Sequence, residues 1–229
     1  MPPRVCPGCG VVGAFDRLEG DDEPEAEELE GPPLELHSLA QRGPALRLVR
    51  CDVGPVDRLL GGFPQGTAST LYGARGAGKS TIALQIAAGL AARLRGPALV
   101  VCPEMSPEIL RRTAARVGAG LERLYPSREP EAWELEAESI GARVLLVDSV
   151  SRFPRPVETL HAAIEWARAA RGVALLLTHM SRKGKPLGPV ALEHDTDAVL
   201  KVTLSGNAAR TLSIDGKCRW APIGSVALD

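Results

Sequence analysis

Short apolar runs alternate along this chain with longer stretches in which apolar residues recur every three or four positions. Residues 67–72 alternate small and apolar side chains as a buried strand does. Ile82, Leu84, Ile86, Leu90 and Leu94 then fall in an alanine-rich stretch that reads as a helix. The rhythm continues with a strand at 98–102, helices at 107–117 and 129–140, a strand at 144–147, a helix at 157–170 and a strand at 173–178. Strands with no polar face must be covered on both sides, so the pattern predicts an α/β fold, a mostly parallel, twisted sheet flanked by helices. The last segment changes character: residues 198–204 and 209–214, joined at Gly206-Asn207, predict a C-terminal β-hairpin.

Composition divides the chain in two. Residues 1–45 hold ten acidic and three basic side chains, whereas residues 46–229 hold 18 acidic and 24 basic ones. The first part reads as a cysteine knuckle followed by an acidic linker that cannot pack a core, and the second as one domain with a substantial core. No run of about 18 apolar residues and no apolar leader segment is found, which predicts a cytoplasmic protein with no membrane partner. An odd number of cysteines, five, then argues for thiols or metal ligands rather than disulfides. Cys6 and Cys9 have knuckle spacing but supply only two of the four ligands a structural zinc ion usually takes. His37 and Cys51 are poorly placed to complete the set, so a vestigial knuckle, a site shared between chains and an intrachain site all stay open.

The chemistry concentrates at three places. Gly73-Ala74-Arg75-Gly76-Ala77-Gly78-Lys79-Ser80-Thr81 fits the phosphate-binding loop G-x-x-x-x-G-K-[ST] and stands between a predicted strand and helix, as the motif requires. Glycines let the backbone N–H groups and the helix N-terminus approach the phosphates of a nucleoside triphosphate. Lys79 is expected to reach the β- and γ-phosphates and Ser80 the Mg²⁺. Asp148 ends the apolar strand at 144–147, where an acid positions the metal. Glu104 follows the strand at 98–102 and reads either as the base that activates water or as a cap for the helix beginning near Ser106. Thr178 and His179 end the next buried strand, placed to sense the γ-phosphate. Residues 180–189 then gather Arg182, Lys183 and Lys185 with two glycines and two prolines, which reads as a mobile basic loop for a nucleic-acid backbone or as a solvated turn.

These residues, in this order, resemble the bacterial RadA (Sms) family, a branch of the RecA-like P-loop ATPases, over nearly the whole chain. Val5-Cys6-Pro7-Gly8-Cys9-Gly10 resembles the second half of that family's N-terminal zinc finger, and the run from Asp52 to Gly62 its entry into the P-loop strand. Cys102-Pro103-Glu104-Met105-Ser106 resembles the segment bearing its catalytic glutamate. The stretch from His179 to Gly184, with Gly188-Pro189 and Leu192-Glu193-His194, resembles the one that contains its DNA-binding loop. Lys217-Cys218-Arg219-Trp220 resembles its Lys-Asn-Arg-Phe signature with both cations kept; the resemblance implies that Lys217 and Arg219 reach the nucleotide of a neighbouring subunit. The family's first cysteine pair and its C-terminal protease-like domain have no counterpart in this sequence.

The resemblance implies a RecA-like ATPase that uses ATP and Mg²⁺ at interfaces of a ring or filament and acts on single-stranded or branched DNA in recombination or repair. Aromatic residues make up only 3% of the chain, so few bases can stack and DNA contact should be electrostatic. A nucleotide-switched regulator of a protein partner, or a KaiC-like signalling ATPase, is the alternative.

Overall fold

The computed structural model of the protein describes residues 47–205 and 209–228. Cys6, Cys9, His37, the acidic linker and the Gly206-Asn207 turn lie outside the described residues.

The first elements are short: β1 (Leu48–Val49), α1 (Gly54–Leu60) and β2 (Phe63–Pro64), with β1 and β2 paired antiparallel. From there strand and helix alternate through β3 (Thr67–Gly73), α2 (Lys79–Leu94), β4 (Ala98–Val101), α3 (Pro107–Arg116), β5 (Leu124–Ser127), α4 (Trp133–Ser139), β6 (Val144–Asp148), α5 (Pro156–Ala170) and β7 (Val173–His179). A short α6 (Ala191–His194) leads into β8 (Ala198–Leu204), β9 (Arg210–Cys218) and β10 (Ser225–Leu228). Among the described residues eight strands form one sheet in the order β10-β9-β8-β3-β7-β6-β4-β5. Strands β8, β3, β7, β6, β4 and β5 run parallel, while β9 and β10 are antiparallel additions at one end.

This is the mostly parallel α/β sheet with a terminal hairpin that the hydrophobic pattern predicts. Strand β6 is buried from Val144 to Val147 and β7 from Val173 to Thr178, because one core on each face of the sheet covers their side chains. On one face α2 packs through Ile82, Leu84, Ile86 and Leu90; on the other α5 packs through Leu160, Ala163, Ile164 and Ala167. The alanines and Gly89 let α2 lie close to the chain. A Cβ on Gly89 would stand 1.7 Å from the Cys51 carbonyl oxygen, so only glycine fits there.

Three differences from the sequence pattern have local causes. Helix α4 begins at Trp133 rather than at 129: Glu129 precedes Pro130, which disfavours helical backbone, and its N–H is bonded to Ser127 Oγ at 3.1 Å. Strand β9 runs on to Cys218 because β8 continues to hold it there, pairing Ala198 with Cys218 beyond a register shift, while β10 pairs only with residues 210–213. Strand β5, with Tyr125 exposed and Pro126 within it, shows no alternation and sits at the sheet edge, where a proline is tolerated. No helix among the described residues is long and apolar enough to cross a membrane.

Candidate functional site

Parallel strands end together, so the residues that follow them collect at one edge of the sheet. The P-loop follows β3, Glu104 follows β4, Asp148 ends β6 and His179 ends β7. They line a cleft of about 400 Å³ with Arg75, Gly76, Gly78, Lys79, Ser80, Thr81, Cys102, Met105, Arg116 and Arg210. Four cations there face two carboxylates, and α2 adds the positive end of its dipole with no acidic residue in its first turn. The cleft is built for an anion.

The P-loop closes on itself. Lys79 is 6% exposed, and its ammonium donates to the Gly73 carbonyl at 3.1 Å and the Ala74 carbonyl at 3.0 Å. Burial holds its pKa below the usual lysine value, an effect that the charge of Asp148 opposes. Ser80 donates its hydroxyl to Asp148 Oδ2 at 2.5 Å. Burial raises the Asp148 carboxyl above the ordinary aspartate range; the Ser80 hydrogen bond opposes this, the nearby Glu104 charge adds to it, and Lys79 and His179 lower it. An anionic carboxylate half-buried at the cleft wall favours a cation beside it. A hydroxyl and a carboxylate oxygen in contact suit Mg²⁺, which keeps several waters and needs few protein ligands. No group of three or more His, Cys, Asp or Glu able to hold a metal occurs among the described residues.

Glu104 does not cap the next helix. Ser106 does, accepting from Ile109 N–H at 3.4 Å, and the Glu104 carboxylate instead accepts from Arg152 at 2.5 Å. Both partners are exposed, so this pair is easily exchanged with solvent. Cys102 lines the same wall as a neutral thiol, its pKa pushed up to about 11 by burial.

The sensor pair is split by the structure. His179 faces the cleft, whereas Thr178 is fully buried and donates its hydroxyl to the Leu187 carbonyl. The basic segment after β7 is a closed turn rather than the free loop its glycines and prolines predict. Ser181 N–H donates to the Lys185 carbonyl at 2.7 Å, Leu187 N–H to the His179 carbonyl at 2.7 Å, and Met180 pairs with Pro186 in an isolated bridge. Arg182, Lys183 and Lys185 are exposed on it, and Lys185 also reaches Glu193 at 3.4 Å.

Lys217 and Arg219 stand at the other edge. Strand β9 returns antiparallel, pairing Arg210 with Leu204 and Cys218 with Ala198, so its two ends lie roughly 25 Å apart. There Lys217 donates to the His194 carbonyl at 2.5 Å and Arg219 pairs with Asp197 at 3.0 Å. Neither cation can meet the chain's own P-loop. Arg210, which the sequence reading passed over, does reach it, because the hairpin register carries it back to the nucleotide edge.

Residues 46–186 match the family described as AAA domain. The chain belongs to that family. This AAA domain chain is 32% identical over 174 residues to the DNA repair protein RadA of Mycobacterium tuberculosis, covering 69% of this chain and 36% of that protein. It is 26% identical over 214 residues to the DNA repair protein RadA of Treponema pallidum, covering 85% and 46% respectively. It therefore spans less than half the length of these curated relatives. A KaiC-like protein from Pyrococcus horikoshii superposes with a TM-score of 0.69 at 22% identity, over 80% of this chain and 95% of that one, which shows a shared fold. Family, fold and P-loop make this a RecA-like P-loop ATPase.

Proposed function

We propose that this AAA domain chain is a DNA-dependent ATPase of the RadA type, acting in recombination or repair on single-stranded or branched DNA. The observation that carries the reading is the joining of the basic turn to the phosphate loop. Met180 N–H donates to the Gly73 carbonyl at 3.0 Å, the same oxygen that accepts from the Lys79 ammonium. A cationic turn that shares an acceptor with the P-loop lysine is placed to respond when that lysine turns to a phosphate. The names of the relatives support DNA as the ligand of the turn.

Within the cleft each side chain has a role. Lys79 leaves its two carbonyls for the β- and γ-phosphates, and the P-loop N–H groups hold the remaining oxygens. Ser80 and Asp148 would hold Mg²⁺, which when bound neutralises charge on the phosphate oxygens. Glu104, released from Arg152, orients a water and accepts its proton. Lys217 and Arg219 serve the nucleotide of an adjoining copy, so the working form is a homo-oligomer. Arg182, Lys183 and Lys185 contact DNA phosphates without reading sequence.

Lys185 already pairs with Glu193, and this contact favours a second reading in which the turn is structural and the chain is a nucleotide-switched regulator of a protein partner. ATP hydrolysis measured with and without single-stranded DNA, in the wild type and in the triple variant Arg182→Ala, Lys183→Ala, Lys185→Ala, separates the two. Stimulation by DNA that is lost in the triple variant is expected. A rate indifferent to DNA in the wild type would remove the DNA assignment and leave the regulator.

A further inference from the structure

We propose that Arg210 is a cis phosphate-binding residue, a cation that holds the polyphosphate of the nucleotide bound by its own chain. The inference rests on the reading of the cleft as a Mg-ATP site and goes beyond it by assigning a residue from a distant part of the sequence. Strand β8 runs parallel to β3 and leaves the sheet at the P-loop edge, and β9 starts its return there with Arg210 opposite Leu204. The Arg210 side chain lies over Gly78, the residue that caps α2. Its Nε stands 3.1 Å, and its Cδ 3.3 Å, from where a Cβ on Gly78 would be. Glycine is favoured at 78 by its φ of 96°, and a Cβ there would crowd this side chain.

The electrostatics of that position point to a ligand. Arg93, Arg152, Arg155 and Arg219 are each paired with a carboxylate. Among the described residues the Arg210 side chain has no hydrogen-bond or ion-pair partner, although it is exposed and free to turn towards one. It sits instead beside Lys79 and the positive end of a 16-residue helix, where a cation without an anion is unfavourable. A polyphosphate reverses the sign of that interaction. The guanidinium fork then supplies two parallel hydrogen bonds to phosphate oxygens, which a lysine in the same place would not. Its contact is with phosphate rather than with the base, because what it overlies is the cap of the phosphate-binding helix.

The test is equilibrium binding to the full-length chain of Mg-bound non-hydrolysable ATP, ADP and AMP, for the wild type, Arg210→Ala, Arg210→Lys and Lys79→Ala. Arg210→Ala should weaken the ATP analogue by about tenfold or more and AMP by much less. Arg210→Lys should recover part of the loss. The melting temperature of the nucleotide-free Arg210→Ala protein should not fall below that of the wild type, because the side chain removed is exposed, unpaired and set among like charges. Unchanged ATP affinity in Arg210→Ala, with Lys79→Ala weakened, would overturn the role of Arg210 and leave the site intact. Equal losses for ATP, ADP and AMP would overturn the phosphate assignment. A wild type that binds none of them would overturn the site reading itself.

Discussion

Two aspartates at opposite edges of the sheet are held under different terms. Asp197, before β8, is 6% exposed and accepts from Ala68 N–H at 3.0 Å with one oxygen and from Arg219 at 3.0 Å with the other. Its backbone is bonded as well, donating to Ala68 and accepting from Arg219 N–H. Among the described residues the Asp148 carboxylate, at the end of β6, has only the Ser80 hydroxyl as a hydrogen-bonding partner, and burial pushes its pKa up. The first is a lock that fastens β3, β8 and the segment after β9. The second is an acid kept short of compensation at the place where a divalent cation would supply it. The two acids differ in how completely their oxygens are satisfied, and Asp148 is also the less buried of the two, open to the cleft.

The contrast can be broken first at the cleft. Lys79→Ala should lower ATP hydrolysis by about a hundredfold or more while the protein stays folded, since it deletes a charged donor aimed at phosphate. A circular-dichroism melt beside the turnover assay checks both halves. Glu104→Gln should retain nucleotide binding and lose about a hundredfold in turnover, because an amide keeps the shape and cannot accept a proton. Normal turnover in that variant would limit Glu104 to its pair with Arg152.

At the other edge the effect should appear in stability. Asp197→Ala leaves the Ala68 N–H buried without its side-chain acceptor and should cost about 2 kcal/mol in urea unfolding. A smaller effect, dependent on pH, is expected at Asp148. Its folded pKa is raised, so the metal-free native state binds more protons than the unfolded chain as pH rises above about 4, and it loses stability through that window. Asp148→Asn should therefore melt higher than the wild type at neutral pH, with the difference fading below pH of about 4. Mg²⁺ with ATP should stabilise the wild type and not the variant.

The nucleotide edge was largely legible in the sequence because its parts are local: a P-loop between strand and helix, and an acid at the end of an apolar run. What escaped depends on register or on partners far along the chain. Arg210 meets Gly78 only through the β8–β9 pairing, and no spacing between positions 78 and 210 announces it. Thr178 looked like a sensor by its place at a strand end. Its hydroxyl is taken by the Leu187 carbonyl because the basic segment folds back as a turn. Strand β5 gave no alternation to read, since the sheet edge leaves Tyr125 exposed.

In the proposed homo-oligomer the nucleotide edge of one copy is completed by the opposite edge of another. Lys79→Ala and Arg219→Ala proteins, each inactive alone, should regain ATP hydrolysis when mixed, because an Arg219→Ala subunit keeps an intact P-loop that can face an intact Arg219. Arg219 also pairs with Asp197, so each variant is first shown by its melt to be folded and by sedimentation to assemble with the other. Recovered turnover that rises with protein concentration is the predicted result. A mixture that co-assembles and stays inactive would contradict the account and return Lys217 and Arg219 to a purely structural role.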